Sequence, residues 1–244
     1  MSKQTVVLVQ PGSAVSLRGA DVITTGTGRE AVDVVSLQPG IDMGWSKPGS
    51  TAYGFLPEGG RLITCSGVFY LKPGMWFCTP DEFKVSGPGV VIQVHGWRGM
   101  FQVGGPIESR GRLRYIDGCT DTLLVSPPRK GDACLNHLHF PTGIRQTMHT
   151  HPSVRCGIVA RGQGRAIMPG DLEQPLVPGS VWLLRPEGEH CFYTDGQTMD
   201  VIAFHPDSDC GPEDDDHPMV NRTLVGGQRA NEIAAIRTGH AALQ

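Results

Sequence analysis

The chain has 244 residues, a formal net charge of −3, 39% hydrophobic and 18% charged residues. That balance excludes a disordered tail and a membrane protein, and it leaves no footprint for nucleic acid or anionic lipid. With 33 Gly and 19 Pro, the chain is punctuated too often for a helical bundle, so short strands joined by turns are expected.

The first fifteen residues, MSKQTVVLVQPGSAV, show no positive region leading into a long apolar stretch, and no cleavage site. No export signal is expected. No later apolar run approaches the roughly 18 residues of a membrane span. Seven cysteines without regular spacing read as thiols in a reducing compartment, so a cytoplasmic protein is expected.

Strand-like runs then follow one another. They include TVVLV, AVDVVSL, GRLITC, GVFYL and GVVIQVHGW in the first half. DTLLV, GIRQTMHTH, CGIVA, SVWLLR and MDVIAF follow in the second. Gly/Pro turns such as KPG, GPG and VPG separate them, the pattern of an all-β sandwich or barrel. The halves also align on each other. Tyr53–Gly59 matches Cys156–Gly162, and Leu71–Phe83 matches Leu176–His190. A repeat of roughly 100 residues implies two similar β domains, with a boundary in the Gly/Pro stretch from Gly104 to Gly111: 1–105 and 106–244. Near the end, Ala230–Leu243 predicts one short C-terminal helix. The acidic stretch Asp207–Pro218 lacks the spaced order of a calcium loop and reads as solvated, with His217.

Of nine histidines, only His95 precedes His137. Imidazole is the commonest metal ligand and the usual physiological acid or base, so chemistry is expected in the second half. On a strand, alternate side chains share a face, which would align Arg145, Thr147, His149 and His151. Two imidazoles two residues apart can chelate one metal ion. The third ligand must come from another strand, and the run Pro178–His190 ends a strand with a Pro/Gly turn presenting His190.

These residues resemble the cupin family. Gly143, His149 and His151 match its first motif, G-x5-H-x-H-x(3,4)-E-x6-G. Gly179, Pro186, Gly188 and His190 match its second, G-x5-P-x-G-x2-H-x3-N, with a one-residue shift inside the turn. The resemblance implies two tandem cupin barrels, a bicupin, with one metal on His149, His151 and His190. In the first repeat, Ser46, Pro48 and Phe83 fall at the ligand positions and supply neither imidazole nor carboxylate, which implies a structural first domain. Thr194 stands where the family has Asn.

Where most cupins place a Glu ligand, five residues after the second His, stands Cys156. Three neutral imidazoles leave a divalent ion its full charge, which favours an anionic, chelating substrate. The resembling branch is the three-histidine, iron(II) cupins. Its thiol dioxygenases also carry Cys at this place, cross-linked in the animal-type enzymes to a later Tyr; here the matching strand offers Phe204 and His205. Cys156 is open to three readings: a buried apolar filler, a thiolate ligand, or a redox or cross-linked group. Arg145 is a candidate grip on a substrate carboxylate or a rim ion pair. His137 and His139 would face the cavity if their strand lines the barrel, one as general base or supporting donor. The resemblance thus implies an Fe(II) oxygenase acting with O2 on a small anionic molecule, commonly as a homodimer. A Zn-, Ni- or Mn-dependent isomerase or lyase, with His137, His139 or Tyr193 moving protons, and a non-catalytic ligand-binding bicupin are the alternatives.

Overall fold

The computed structural model describes residues 5–23, 31–40, 42–45 and 49–237. Ser46 and Pro48 lie outside them. The strands assemble into two large antiparallel sheets, each backed by a smaller one. The first has six strands in the order Gln102–Gly104, Met75–Thr79, Ser50–Leu56, Gly89–His95, Ala31–Leu37 and Ala14–Arg18. Its small partner runs Met43–Trp45, Phe83–Ser86, Gly60–Thr64 and Gly67–Leu71. The second large sheet has seven strands, ordered Val6–Val9, Val181–Leu184, Arg155–Gly162, Met199–His205, Cys134–Phe140, Thr120–Val125 and Leu113–Arg114. Leu172–Leu176, Gly164–Met168 and Cys191–Tyr193 back it.

The internal repeat reappears as topology. Ser50–Leu56 and Arg155–Gly162 occupy the same place in their sheets. Gly54 pairs with Phe77 and Gly157 with Trp182, as the aligned repeats require.

Alternation sorts the strand residues into three cores. Val35, Leu37, Ala52, Phe77 and Val91 pack inside the first sandwich. Phe140, Val159, Trp182, Val201 and Ala203 pack inside the second. Their strand neighbours Val34, Tyr53, Ile92, Leu135, Ile158, Ile202 and Phe204 form a third cluster shared by both large sheets. Tyr53 is fully buried there, its ring 5.0 Å from Phe204. Strands with two buried faces read as continuous apolar runs, which is how MDVIAF and AVDVVSL appear.

The N-terminal strand crosses between the two sandwiches. Val6–Val9 pairs antiparallel with Val181–Leu184 at the edge of the seven-stranded sheet, while Ala14–Arg18 belongs to the six-stranded one. Sheets gain from covering their edges, and here Val6–Val9, the first strand among the described residues, covers an edge of the second half.

The expected helix over Ala230–Leu243 is not what the described residues form. Ala230–Glu232 and Ala234–Ile236 are separate 3-10 turns with extended backbone at Ile233 between them, and 238–244 lie outside the described residues. The Ala230 N–H donates to Thr223 O and Asn231 Nδ2 to Asn221 Oδ1, so these groups bond to the preceding segment instead of along a helix. A short isolated helix is marginal without a packed face. The α-helix present is Pro218–Arg222, capped by His217, whose Nδ1 accepts from Met219 N at 3.1 Å. The acidic stretch is more than solvated. Arg129 pairs with Asp214, Lys130 with Glu213 and Arg237 with Asp215.

Val6, fully buried against the second core, should report the crossover. Val6→Ala removes two methyl groups, and we expect a loss of about 2 kcal/mol in denaturant unfolding, with the second sandwich affected before the first.

Candidate metal centre

The segment from Gly143 to His151 does not form the expected continuous strand. It is extended chain tied down by two isolated bridges, Arg145 with Tyr193 and His149 with His190. Asp117 Oδ2 accepts from Thr147 N at 2.7 Å, and Met148 is exposed. The alternation therefore slips between Gln146 and His149. Gln146, His149 and His151 line a common pocket while Arg145 does not.

His149, His151 and His190 come together as the motif spacing implied. Their ligating nitrogens lie within 4.8 Å of one another. The ring centroids of His149 and His190 are 4.4 Å apart. Backbone pairing fixes the approach: His149 N donates to His190 O and His190 N to His149 O, both at 3.0 Å. The turn before His190 is held by Glu187 N donating to His151 O. Gly188 lies there because a Cβ would run into the side chain of Thr5. Thr194, in the family's Asn position, ties the motif ends together: its Oγ1 donates to Pro141 O and accepts from Ile144 N.

Two of the histidines have their ring orientation set by backbone carbonyls. His149 Nδ1 lies 2.8 Å from Thr147 O and His190 Nδ1 3.0 Å from Gly188 O. A carbonyl only accepts, so each Nδ1 carries a proton and Nε2 is the atom left to ligate a metal. Burial, with the Arg155 and His190 charges, pushes His151 down to about 3. Burial likewise lowers His190 to about 4. This donor set fits a divalent transition metal.

The pocket holds about 500 Å³, mouth included. Leu138, Phe140, Trp182, Leu184 and Phe192 give it apolar walls. Arg155 faces into it, one residue before Cys156. The family's x(3,4) spacing admits both positions, and the strand's alternation selects Arg155. Its Nη1 donates to Asp207 Oδ1 at 3.2 Å and to Ser153 Oγ. His205 lines the same pocket.

The other expected site residues fall elsewhere. Cys156 is fully buried in the cluster shared by the two large sheets, on the face opposite the pocket. Burial pushes its thiol strongly up, so it is packing and not a thiolate. Arg145 is a rim ion pair: Nη2 lies 2.6 Å from Asp195 Oδ1, and the guanidinium sits 4.9 Å over the Tyr193 ring. His137 and His139 do not face the pocket. They alternate with the pocket-lining Asn136, Leu138 and Phe140, on the other face. There His137 Nε2 and His139 Nδ1 meet Asp200 Oδ1 at 2.7 and 2.9 Å, and Arg161 Nε meets Oδ2 at 2.7 Å. In the first sandwich Phe83 is buried core. Among the described residues, the three-histidine group is the one cluster of potential metal ligands.

No family model matches the chain, and no curated protein matches it in sequence. Solved structures do match in shape. A cupin 2 conserved barrel domain protein from Leptotrichia buccalis superposes with TM-score 0.53 at 12% identity, over 82% of this chain and 92% of its own. The chain has a cupin fold. The protein Ylba from E. coli superposes with TM-score 0.53 at 14% identity, covering 84% of this chain and 95% of its own. Salicylate 1,2-dioxygenase from Pseudoaminobacter salicylatoxidans gives 0.53 at 12%, covering 72% and 68%. Among the described residues, no helix is long and apolar enough to cross a membrane.

Two outcomes follow from these positions. Cys156→Ser should leave metal content unchanged and lower stability by about 1–2 kcal/mol, since it buries a hydroxyl in an apolar cluster. Asp200 is raised by burial but lowered further by its bonds from His137, Arg161 and His139, so it ends below 3.8. A depressed carboxyl contributes stability above its unfolded value and loses it as pH falls through the folded one. Asp200→Asn should therefore cost about 3 kcal/mol at pH 7, and the gap to the parent should narrow as denaturation is repeated below pH 4.

Proposed function

We propose that this chain is a bicupin: 1–105 a structural unit without ligands, and 106–244 a unit holding one ferrous ion on His149, His151 and His190. It acts with O2 on a small anionic, chelating substrate. The observation that carries the reading is three imidazoles, with no carboxylate among them, converging on a pocket that Arg155 also faces. The shared fold with a salicylate 1,2-dioxygenase supports oxygenase chemistry on this scaffold.

Iron bound there would supply open coordination positions and the redox chemistry of an oxygenation. The chain supplies the rest. Thr147 O and Gly188 O hold the His149 and His190 rings in one tautomer, so neither needs to reorient to ligate. Arg155 binds the substrate's carboxylate and sets its approach. Leu138, Phe140, Trp182 and Phe192 exclude water, which strengthens every charge interaction inside. The reading involves no nucleic acid or membrane, and it extends to a cytoplasmic homodimer.

Anaerobic loading with Fe(II) followed by elemental analysis should give close to one metal per chain, and substrate-dependent oxygen uptake should follow. His149→Ala, His151→Ala and His190→Ala should each lose most of the metal while circular dichroism still reports a folded β protein. Arg155→Gln should keep the metal and raise KM for the anionic substrate about tenfold, the equivalent of roughly 1.4 kcal/mol. Turnover with Zn, Ni or Mn in the absence of oxygen would instead support an isomerase or lyase. Ligand binding untouched by chelators would support a non-catalytic bicupin. Two metals per chain, or none with any of these ions, would sink the one-site reading.

A further inference from the structure

The three histidines sit on two stretches of chain, 146–151 ahead of the Arg155–Gly162 strand and the turn 185–190 after Val181–Leu184. Both stretches are held by one segment from the other half of the molecule. Along Val6–Val9 the pairing runs from Val9↔Val181 to Val6↔Leu184. It then continues into the turn, where Arg185 N donates to Thr5 O at 3.1 Å. The Thr5 side chain packs on Gly188, where a Cβ would overlap Thr5 Cγ2. Gly188 O in turn lies 3.0 Å from His190 Nδ1 and orients that ring. Further along the same segment, Val22 O accepts from Val154 N at 2.7 Å, and Ile23 bridges Ser153, just past His151. Val22 is fully buried.

Covering a sheet edge does not require this. In the first sandwich the matching edge is covered by that half's own strand, Gln102–Gly104, whose pairing stops at Cys78. Cys78 pairs with Tyr53 as Leu183 pairs with Cys156. Pairing there therefore ends one residue before the level of Val6 and two before that of Thr5. The exposed guanidinium of Arg98 meets the turn beyond it. The contact of Ile23 with Ser153 covers no edge, because the Arg155–Gly162 strand already lies between Val181–Leu184 and Met199–His205. What the two contacts share is the histidine-bearing chain beside them.

Support of this kind answers a need. Three imidazoles bind one ion only while their nitrogens converge, and irregular chain costs entropy to hold in one shape. The turn also carries Glu187 at φ 56, a conformation that non-glycine residues seldom adopt, so its contacts must impose it. We propose that the segment from Thr5 to Ile23 is the positioning element of the metal centre. Thr5 clasps the His190 turn, and Val22 and Ile23 clasp the stretch that carries His149 and His151. This rests on the metal-site reading above, and it gives the ligand-free half a part in that site.

The contact between Thr5 and Gly188 can be tested by trading it across. In the full chain, Gly188→Ala should weaken zinc at least about tenfold, the scale of losing support behind a ligand. It should also shift the visible bands of the cobalt(II)-substituted protein. Thr5→Gly combined with Gly188→Ala should bring both close to the parent, because the new methyl takes the space the threonine leaves. General damage to the fold would not be rescued this way. Gly188→Ala binding zinc like the parent overturns the proposal. So does a double variant no tighter than the single one, which would place the crowding on Arg185 O, 3.1 Å from the added Cβ. Should Gly188→Ala not fold, Thr5→Gly alone opens the same contact and should loosen zinc. Amide hydrogen exchange in metal-free protein reads the clasp separately. Gly188→Ala should speed exchange at Arg185, His149 and His190, and the double variant should slow it again; unchanged protection overturns the clasp. A parent that takes no zinc while exchange behaves as expected sinks the metal reading and leaves the clasp standing.

Discussion

The structure depends on two large sheets being packed face to face. Residues from both, Tyr53 and Phe204 among them, form one continuous apolar cluster. Every central strand therefore has one face committed to the other sheet and one face toward its own barrel. Anything that meets a ligand must sit on the second face. The rule is strict because successive side chains alternate, and it decides the fate of neighbours such as Arg155 and Cys156.

Much of this was legible in the residues alone. Strand runs, Gly/Pro turns and the repeat that aligns Gly54 with Gly157 gave the architecture, and the spacing of His149, His151 and His190 gave the histidine cluster. What could not be read was which face of each strand is which. A half-buried strand advertises its core side by alternation, but MDVIAF and CLNHLHF are buried on both sides, so hydrophobicity carries no sign. The motif spacing alone leaves Cys156 open between filler and ligand, and only the strand's facing makes it the filler and turns Arg155 to the pocket; the same facing puts Asn136 and Leu138 in the pocket wall and His137 and His139 behind it. The slip at Thr147 is a second such case, set by Asp117 thirty residues upstream. Over the described residues 230–237 the expected C-terminal helix gives way to 3-10 turns for another reason: backbone and side-chain groups there bond to the preceding segment.

The electrostatics of the pocket follow from the same geometry. Burial and the nearby guanidinium keep His151 and His190 neutral far into acid. Asp207, on the turn after the Met199–His205 strand, partly balances Arg155 without entering the pocket lining. The pocket lining thus holds one guanidinium, Arg155, and one carboxyl, Asp121, with Asp207 paired to Arg155 outside the lining.

The crossing strand Val6–Val9 has a bearing on how the protein is made. It is synthesised about 170 residues before its partner Val181–Leu184. The first sandwich has all of its strands by Gly104 and can close during translation, with this apolar strand still waiting beside it. Contacts of such long sequence separation form slowly, and an unpaired apolar strand invites pairing with another chain. The step that completes the histidine-bearing half is therefore also the one most exposed to exchange between two nascent copies.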